Sequence, residues 1–205
     1  AALELNEDIF TVVHFTSKVP DVIYDSVVKI MRLGGMYEKG LCKGLQVNNN
    51  FGKITPGIMA GIKATYPKLK IILQIQEDAL AVMDTDQIIA ELKRFNDIAD
   101  YTLVDPSGGK GQEMDVRSGI RLANAIRKNT NIGAALAGGL SQSNIERIVQ
   151  ELAAGLGTDN FSIDAEGGLR DRIGEGYGND IFNPQKAGGY FRGAVEAFDA
   201  IRSPR

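Results

Sequence analysis

The chain has 205 residues, 43% of them hydrophobic, and a formal net charge of -3 at pH 7. This apolar content is sufficient for a substantial core, and the mild negative charge gives no electrostatic reason to expect nucleic acid or an anionic membrane as a partner. One cysteine excludes an internal disulfide and, together with one histidine, argues against a zinc site. We therefore expect a single cytoplasmic domain over residues 1–205 that acts on a small metabolite and holds no metal or other cofactor.

Short apolar runs alternate along the chain with amphipathic stretches of helical period, which is typical of parallel βαβ units. The predicted strands cover residues 10–16, 44–47, 70–75, 101–104, 133–137 and 161–163. The predicted helices cover residues 20–33, 55–66, 84–96, 116–127, 141–152 and 185–201. Residues between the sixth strand and the last helix are predicted to form a long polar loop, of which residues 174–184 suit a lid or an oligomer contact.

Local signals support several of these elements. The third strand, KIILQI, is apolar on both faces, as is expected of a strand buried between helices. Thr55 before Pro56 is a cap residue followed by proline at the first helical position. Ser141 is predicted to cap the helix after the fifth strand.

Glycine-rich turns follow the last three strands, in YTLVDPSGGKG (101–111), IGAALAGGL (132–140) and FSIDAEGGLRD (161–171). Glycine at the end of a buried strand lets backbone N–H groups approach a ligand, and parallel α/β proteins hold phosphate in this way. The three turns therefore predict a phosphate-binding (β/α) barrel.

Three segments, LVDPSGGKGQEMD (103–115), LAGGLSQSNI (136–145) and SIDAEGGLRD (162–171), resemble the last three βα units of phosphoribosylanthranilate isomerase in motif and in spacing. Less specifically, LQVN (45–48) is similar to the V-Q-L-H strand of that family. The resemblance implies a (β/α)8 TIM barrel in which this chain supplies strands three to eight. The first two strands have no counterpart, and we expect that the chain lacks its beginning. A barrel that has lost two units, or strands hidden in the loops, are the alternatives.

The resemblance also implies an enzyme of tryptophan biosynthesis, an intramolecular oxidoreductase of the aldose–ketose type that carries out an Amadori rearrangement. Asp105 would be the general acid, although an aspartate before Pro-Ser-Gly is also a common turn cap. Phosphate would be bound by the two later turns, at Gly138, Gly139, Glu166, Gly167 and Gly168. The first turn would supply a substrate loop, formed by Gly108, Gly109, Lys110 and Gly111.

The general base of that family is a cysteine on the first strand, which this chain does not match. Cys42 precedes the second predicted strand, where a structural role is expected. His14 lies inside an apolar strand, and a core position is the simplest expectation for it. A catalytic role for His14 is the alternative, and a complete acid–base pair with Asp105 is not visible in the sequence.

Departures from the family pattern leave a second function open. Glu166 stands where the family has serine, and its carboxylate would repel phosphate unless it turned away. Asn48 stands where the family has histidine, and either lies in an Asn-rich turn or binds sugar hydroxyls. The glutamines at 46, 74 and 76 either line a polar interior or face solvent.

The alternative function is a phosphate-binding TIM barrel without this activity, either a binding protein or an enzyme of another phosphosugar. Thiamine-phosphate synthase-like and tryptophan-synthase-α-like barrels share such turns. In each case a phosphorylated sugar is the expected partner, neither nucleic acid nor membrane is expected, and a homodimer is left open.

Overall fold

The structure is a computed structural model and describes residues 10–17, 19–48, 51–106, 113–175 and 179–202. It has an α/β fold in which strands alternate with helices. Six strands follow one another in chain order across the main sheet, and two further strands form a separate small sheet. None of the helices in the described ranges combines the length and apolar character needed to cross a membrane.

All six predicted strands and all six predicted helices are present, with ends displaced by at most four residues. The main sheet consists of β1 (Val12–Thr16), β2 (Gly44–Asn48), β3 (Lys70–Gln76), β4 (Tyr101–Asp105), β5 (Gly133–Ala137) and β6 (Ser162–Asp164). The helices are α1 (Ile23–Arg32), α2 (Pro56–Thr65), α3 (Glu77–Val82), α4 (Thr85–Lys93), α5 (Val116–Asn129), α6 (Ile145–Leu156) and α7 (Pro184–Arg202). Of these, α3 was not predicted, because a helix of six residues is too short to display an apolar period.

The chain divides into two compact units. Unit 1 comprises residues 1–103 and 129–133, and unit 2 comprises residues 104–128 and 134–205. The expectation of a single domain over residues 1–205 stays a prediction, as does closure into a full eight-stranded barrel.

In unit 1, β1 pairs in parallel with β2 and β2 pairs in parallel with β3. One face of these strands is apolar and packs against the first two helices. Its residues on β2 and β3 are fully buried, namely Leu45, Val47, Ile71, Leu73 and Ile75. The residues of α1 and α2 that face them are also fully buried, namely Val27, Met31, Met59 and Ile62. Burial of this face supplies most of the driving force for folding of the unit.

Asp100, just before β4, ties together several elements of unit 1. Its carboxylate accepts hydrogen bonds from the Lys63 and Lys70 ammonium groups, both at 2.7 Å, and from the Ile71 amide at 3.0 Å. Burial opposes ionisation, but these three donors outweigh it and hold the pKa of Asp100 below its usual range. The cluster joins α2, β3 and the start of β4 at the amino ends of the strands.

In unit 2, β5 pairs in parallel with β6, and α6 packs against α7. The predicted long polar loop after β6 is wrong in part, because it contains an antiparallel hairpin, β7 (Arg170–Arg172) with β8 (Asp180–Phe182). β7 consists of charged residues, so the alternating apolar pattern by which strands are predicted is absent there. Arg170 Nη1 donates to Asp180 Oδ1 across the two strands at 2.7 Å.

Candidate functional site

Asp105 is the last residue of β4 and is 7% exposed. It belongs to unit 2, together with the turns that follow β5 and β6. Because β4, β5 and β6 are neighbours in the sheet, their carboxyl ends meet at one edge, which is where α/β proteins place ligands. The predicted acid is therefore a buried carboxyl group at a suitable end of the sheet.

The turn after β5 requires glycine for its backbone conformation. Gly138 has φ 128° and Gly139 has φ 59°, values that side chains with a Cβ rarely adopt. The Gly138 carbonyl accepts a hydrogen bond from the Met114 amide at 3.2 Å, and a Cβ on Gly138 would lie 3.0 Å from the Met114 Cβ. The turn is thus held tightly by the segment that leads into α5.

Asn144 closes this same turn with its side chain. Its Nδ2 donates to the Gly139 carbonyl at 3.0 Å and to Glu113 Oε2 at 2.9 Å, while its Oδ1 accepts from the Ser141 amide at 2.9 Å. Ser141 was expected to cap α6, but the helix begins at Ile145, because residues 141–144 form this side-chain-closed turn first. The Asn144 amide, followed by Arg147, lowers the pKa of Glu113.

The turn after β6 requires glycine for a different reason. A Cβ on Gly168 would overlap the carbonyl oxygen of Leu140, which follows the first turn. The two glycine turns therefore meet backbone to backbone. Close packing by itself accounts for glycine at position 168, whereas a phosphate cradle stays a prediction for Gly167 and Gly168.

Glu166 does not stand as an isolated negative charge. Its Oε1 lies 3.8 Å from Nη2 of Arg170, which also bonds Asp180. Arg170 therefore offsets the charge that sequence reasoning expected to repel phosphate. The motif that contains Glu166 ends in Arg170-Asp171, so a basic residue four positions after Glu166 was visible in the sequence.

A cleft of about 620 Å³ lies in unit 2 and is in the size range of small-ligand sites. It begins at Gln142, two residues after Leu140, and continues along the first turns of α7. Asn183 also lines the cleft, and its backbone N–H donates to the carbonyl of Leu169, next to the second turn, at 2.9 Å. Lys186 and Arg192 also line the cleft. The helical pattern of the last helix did not identify either residue as part of a binding site.

Tyr190 of α7 is another residue that sequence reasoning did not mark. It is 5% exposed, and burial, followed by the negative charge of Asp164 at the end of β6, raises the pKa of its hydroxyl well above the usual range. It stays a neutral phenol at physiological pH.

The two candidate bases lie in unit 1. Cys42 is buried, and its thiol donates to the Gly44 carbonyl at 3.1 Å. Burial raises the pKa of this thiol, although hydrogen bonds with the backbone of Val13 and Gly44 act in the opposite direction. His14 was expected in the core, but it is exposed, because β1 is at the end of the strand order and pairs on one side only.

The proposed substrate loop, with Gly108, Gly109, Lys110 and Gly111, lies outside the described residues. Within the described ranges, no group of three or more His, Cys, Asp or Glu side chains is arranged to hold a metal ion. No protein-family model matches the chain, and no curated protein matches it. The likeness to phosphoribosylanthranilate isomerase therefore rests on the motifs quoted above.

Proposed function

We propose that the chain binds a phosphorylated sugar at the carboxyl ends of β4, β5 and β6 and rearranges it as phosphoribosylanthranilate isomerase does. The observation that supports this most is the contact of two glycine turns, at the ends of adjoining strands, in the unit that also carries the buried Asp105. A (β/α)8 barrel is the architecture that we infer for this site, because all six strands follow chain order.

In this proposal the phosphate binds at the two turns, next to Gln142, which lines the cleft of unit 2. Peptide N–H groups at Gly138, Gly139, Gly167 and Gly168 donate to its oxygens. Arg192 lines the cleft and contributes positive charge. Lys186 also lines it, but its ammonium group is paired with Asp171 at 2.7 Å. Glu166 stays directed to Arg170, so the carboxylate does not oppose the ligand.

Asp105 then acts at the sugar ring. Its carboxyl group acts as the general acid that transfers a proton to the ring oxygen as the C1–O bond breaks, and the nitrogen lone pair at C1 forms an iminium ion. A base removes the C2 proton, and the electron pair of that C–H bond forms the enol, which becomes the ketone. Transfer by a positioned acid contributes about 10²- to 10⁴-fold to rate.

The second candidate is a protein that binds phosphosugars without this rearrangement. The state of Cys42 favours it, because burial raises the pKa of this thiol and its proton is donated to the Gly44 carbonyl, so near neutral pH the thiol stays protonated and is not the thiolate that would act as the base. In this case the phosphate contacts are the same, and no base removes the C2 proton of the sugar.

The test is turnover of phosphoribosylanthranilate, followed by the loss of its anthranilate fluorescence. We expect Asp105→Asn to lower kcat by at least about 100-fold, and Asp199→Asn, an exposed carboxylate on α7, to leave it unchanged. Absence of turnover in the unaltered protein, with thermal stabilisation by inorganic phosphate, would reject the isomerase and support the second candidate. Absence of both effects would reject the site.

A further inference from the structure

The strands of unit 1 carry a second set of polar groups that the phosphate proposal does not use. Thr16 of β1 lies opposite Asn48 of β2. The neighbour of Asn48, Val47, lies opposite Leu73 of β3, so Asn48 is in register with Gln74. Side chains alternate between the two faces along each strand. One face, opposite to the buried apolar face, is therefore shared by six polar residues, His14, Thr16, Gln46, Asn48, Gln74 and Gln76. We call this set the polar face.

Two of the amides on the polar face are ordered by each other. Gln46 Nε2 donates to Gln74 Oε1 at 2.9 Å, and Gln74 is only 4% exposed. Burial of an amide costs free energy unless its polar atoms find partners. The bond between neighbouring strands holds both side chains in place and leaves an organised amide surface next to Asn48.

Asn48 itself has an unmet acceptor. Its Oδ1 is shielded from solvent and accepts no hydrogen bond from any part of the chain that the structure describes. Such buried acceptors are rare in folded proteins, and each calls for an explanation. Asn48 as a whole is only partly buried, so rotation of its side-chain amide would bring Oδ1 within reach of a ligand. A ligand hydroxyl or N–H group would then supply the missing hydrogen bond.

We propose that the polar face binds the uncharged, hydroxyl-bearing part of a sugar or polyol, with Asn48 Oδ1 as the acceptor for one of its hydroxyl groups. None of the six side chains is a carboxylate, an ammonium or a guanidinium. Lys70 lies on the same face at the amino end of β3, and its ammonium group is paired with Asp100 at 2.7 Å. The six residues therefore suit an uncharged ligand. Amides both donate and accept, and a hydroxyl group does the same. The site is carried by unit 1, and it goes beyond the proposed function, which rests on unit 2.

The probes are D-ribose and ribitol, neither of which carries a phosphate, added to the full chain with its asparagine and glutamine side-chain amides observed by NMR. We expect saturable shifts of the Gln46, Asn48 and Gln74 signals. Asn48→Leu removes the acceptor and should weaken binding by about three- to tenfold. Asn131→Leu changes an exposed amide of the same unit at the amino end of β5 and should leave binding unchanged.

A second readout separates binding from damage to the fold. Without sugar, Asn48→Leu should raise Tm, because the unpaired buried acceptor is gone; with sugar, only the unaltered protein should gain stability. Unchanged side-chain amide signals in the unaltered protein would overturn the proposal even if Asn48→Leu failed to fold. Equal binding by a folded Asn48→Leu protein would overturn it too. Neither result affects the turnover of a phosphorylated substrate, so the two proposals fail separately.

Discussion

Replacement of Gly168 by alanine tests the contact between the two glycine turns of unit 2. The added Cβ would overlap the Leu140 carbonyl oxygen and lie 3.1 Å from the Ser141 Cβ. The first obstacle is backbone, so a change of side-chain rotamer does not relieve it. One of the two turns has to move away from the other.

The expected cost follows from this geometry. Overpacking by one carbon costs about 1–3 kcal/mol in well-packed regions, and a backbone obstacle places Gly168→Ala at the upper end, about 3 kcal/mol. In a chain of this length about 1 kcal/mol lowers Tm by roughly 2–4 °C. We therefore expect a decrease of about 6–12 °C, together with weaker stabilisation by inorganic phosphate.

The assay is thermal denaturation followed by circular dichroism, with Gly57→Ala as the matched control. Gly57 lies in the first turn of α2, and a Cβ there meets no atom within 4 Å in the described part of the chain. Alanine should stabilise that helix by up to about 1 kcal/mol. A Gly168→Ala protein with the Tm of the unaltered protein would refute the backbone contact, and with it the main support for the proposed function.

Three further predictions concern charge and turn closure. Asp100→Asn should destabilise the protein near neutral pH. The lowered pKa of Asp100 stabilises the fold above the pKa of the unfolded state, and this contribution is lost as pH falls through the pKa of the folded state, so the difference in urea midpoint from the unaltered protein should shrink below about pH 4. A difference that stays constant with pH would contradict the ion-pair account. Asn144→Ala, which frees the Gly139 carbonyl, should cost about 1–2 kcal/mol in urea denaturation, and an unchanged midpoint would show that the side chain does not close the turn. Tyr190 should ionise above the pH of free tyrosine in a phenolate absorbance titration, and Asp164→Asn should lower that pH; no change would remove Asp164 as a cause.

The alternation of strands and helices was predictable because it depends on local patterns. The third strand is continuous in apolar residues, and α4 begins with a capping box in which Asp84 and Gln87 exchange hydrogen bonds. Such signals lie within a few residues of one another. The β7–β8 hairpin was missed because its pairing is carried by Arg170 and Asp180, ten residues apart, and charged residues are typical of loops.

The candidate site was predictable only in its outline. Asp105 and the Gly-Gly pairs were found because glycine and aspartate at strand ends have a recognised chemistry. The residues that hold them were not found. Asn144 and Arg170 act on the turns through side-chain contacts, and their type alone does not reveal which atoms they meet.

The sequence by itself determined the alternating α/β order, the strand ends at which the glycine turns fall, and the exclusion of an internal disulfide, because these depend on composition and short-range pattern. The tertiary structure decided which atoms come together across distant parts of the chain. It brought Gly168 against Leu140, Glu166 close to Arg170, and left Asn48 Oδ1 shielded without a donor among the described residues. The physical reason is that backbone approach and desolvation are set by packing between elements, which no local pattern encodes.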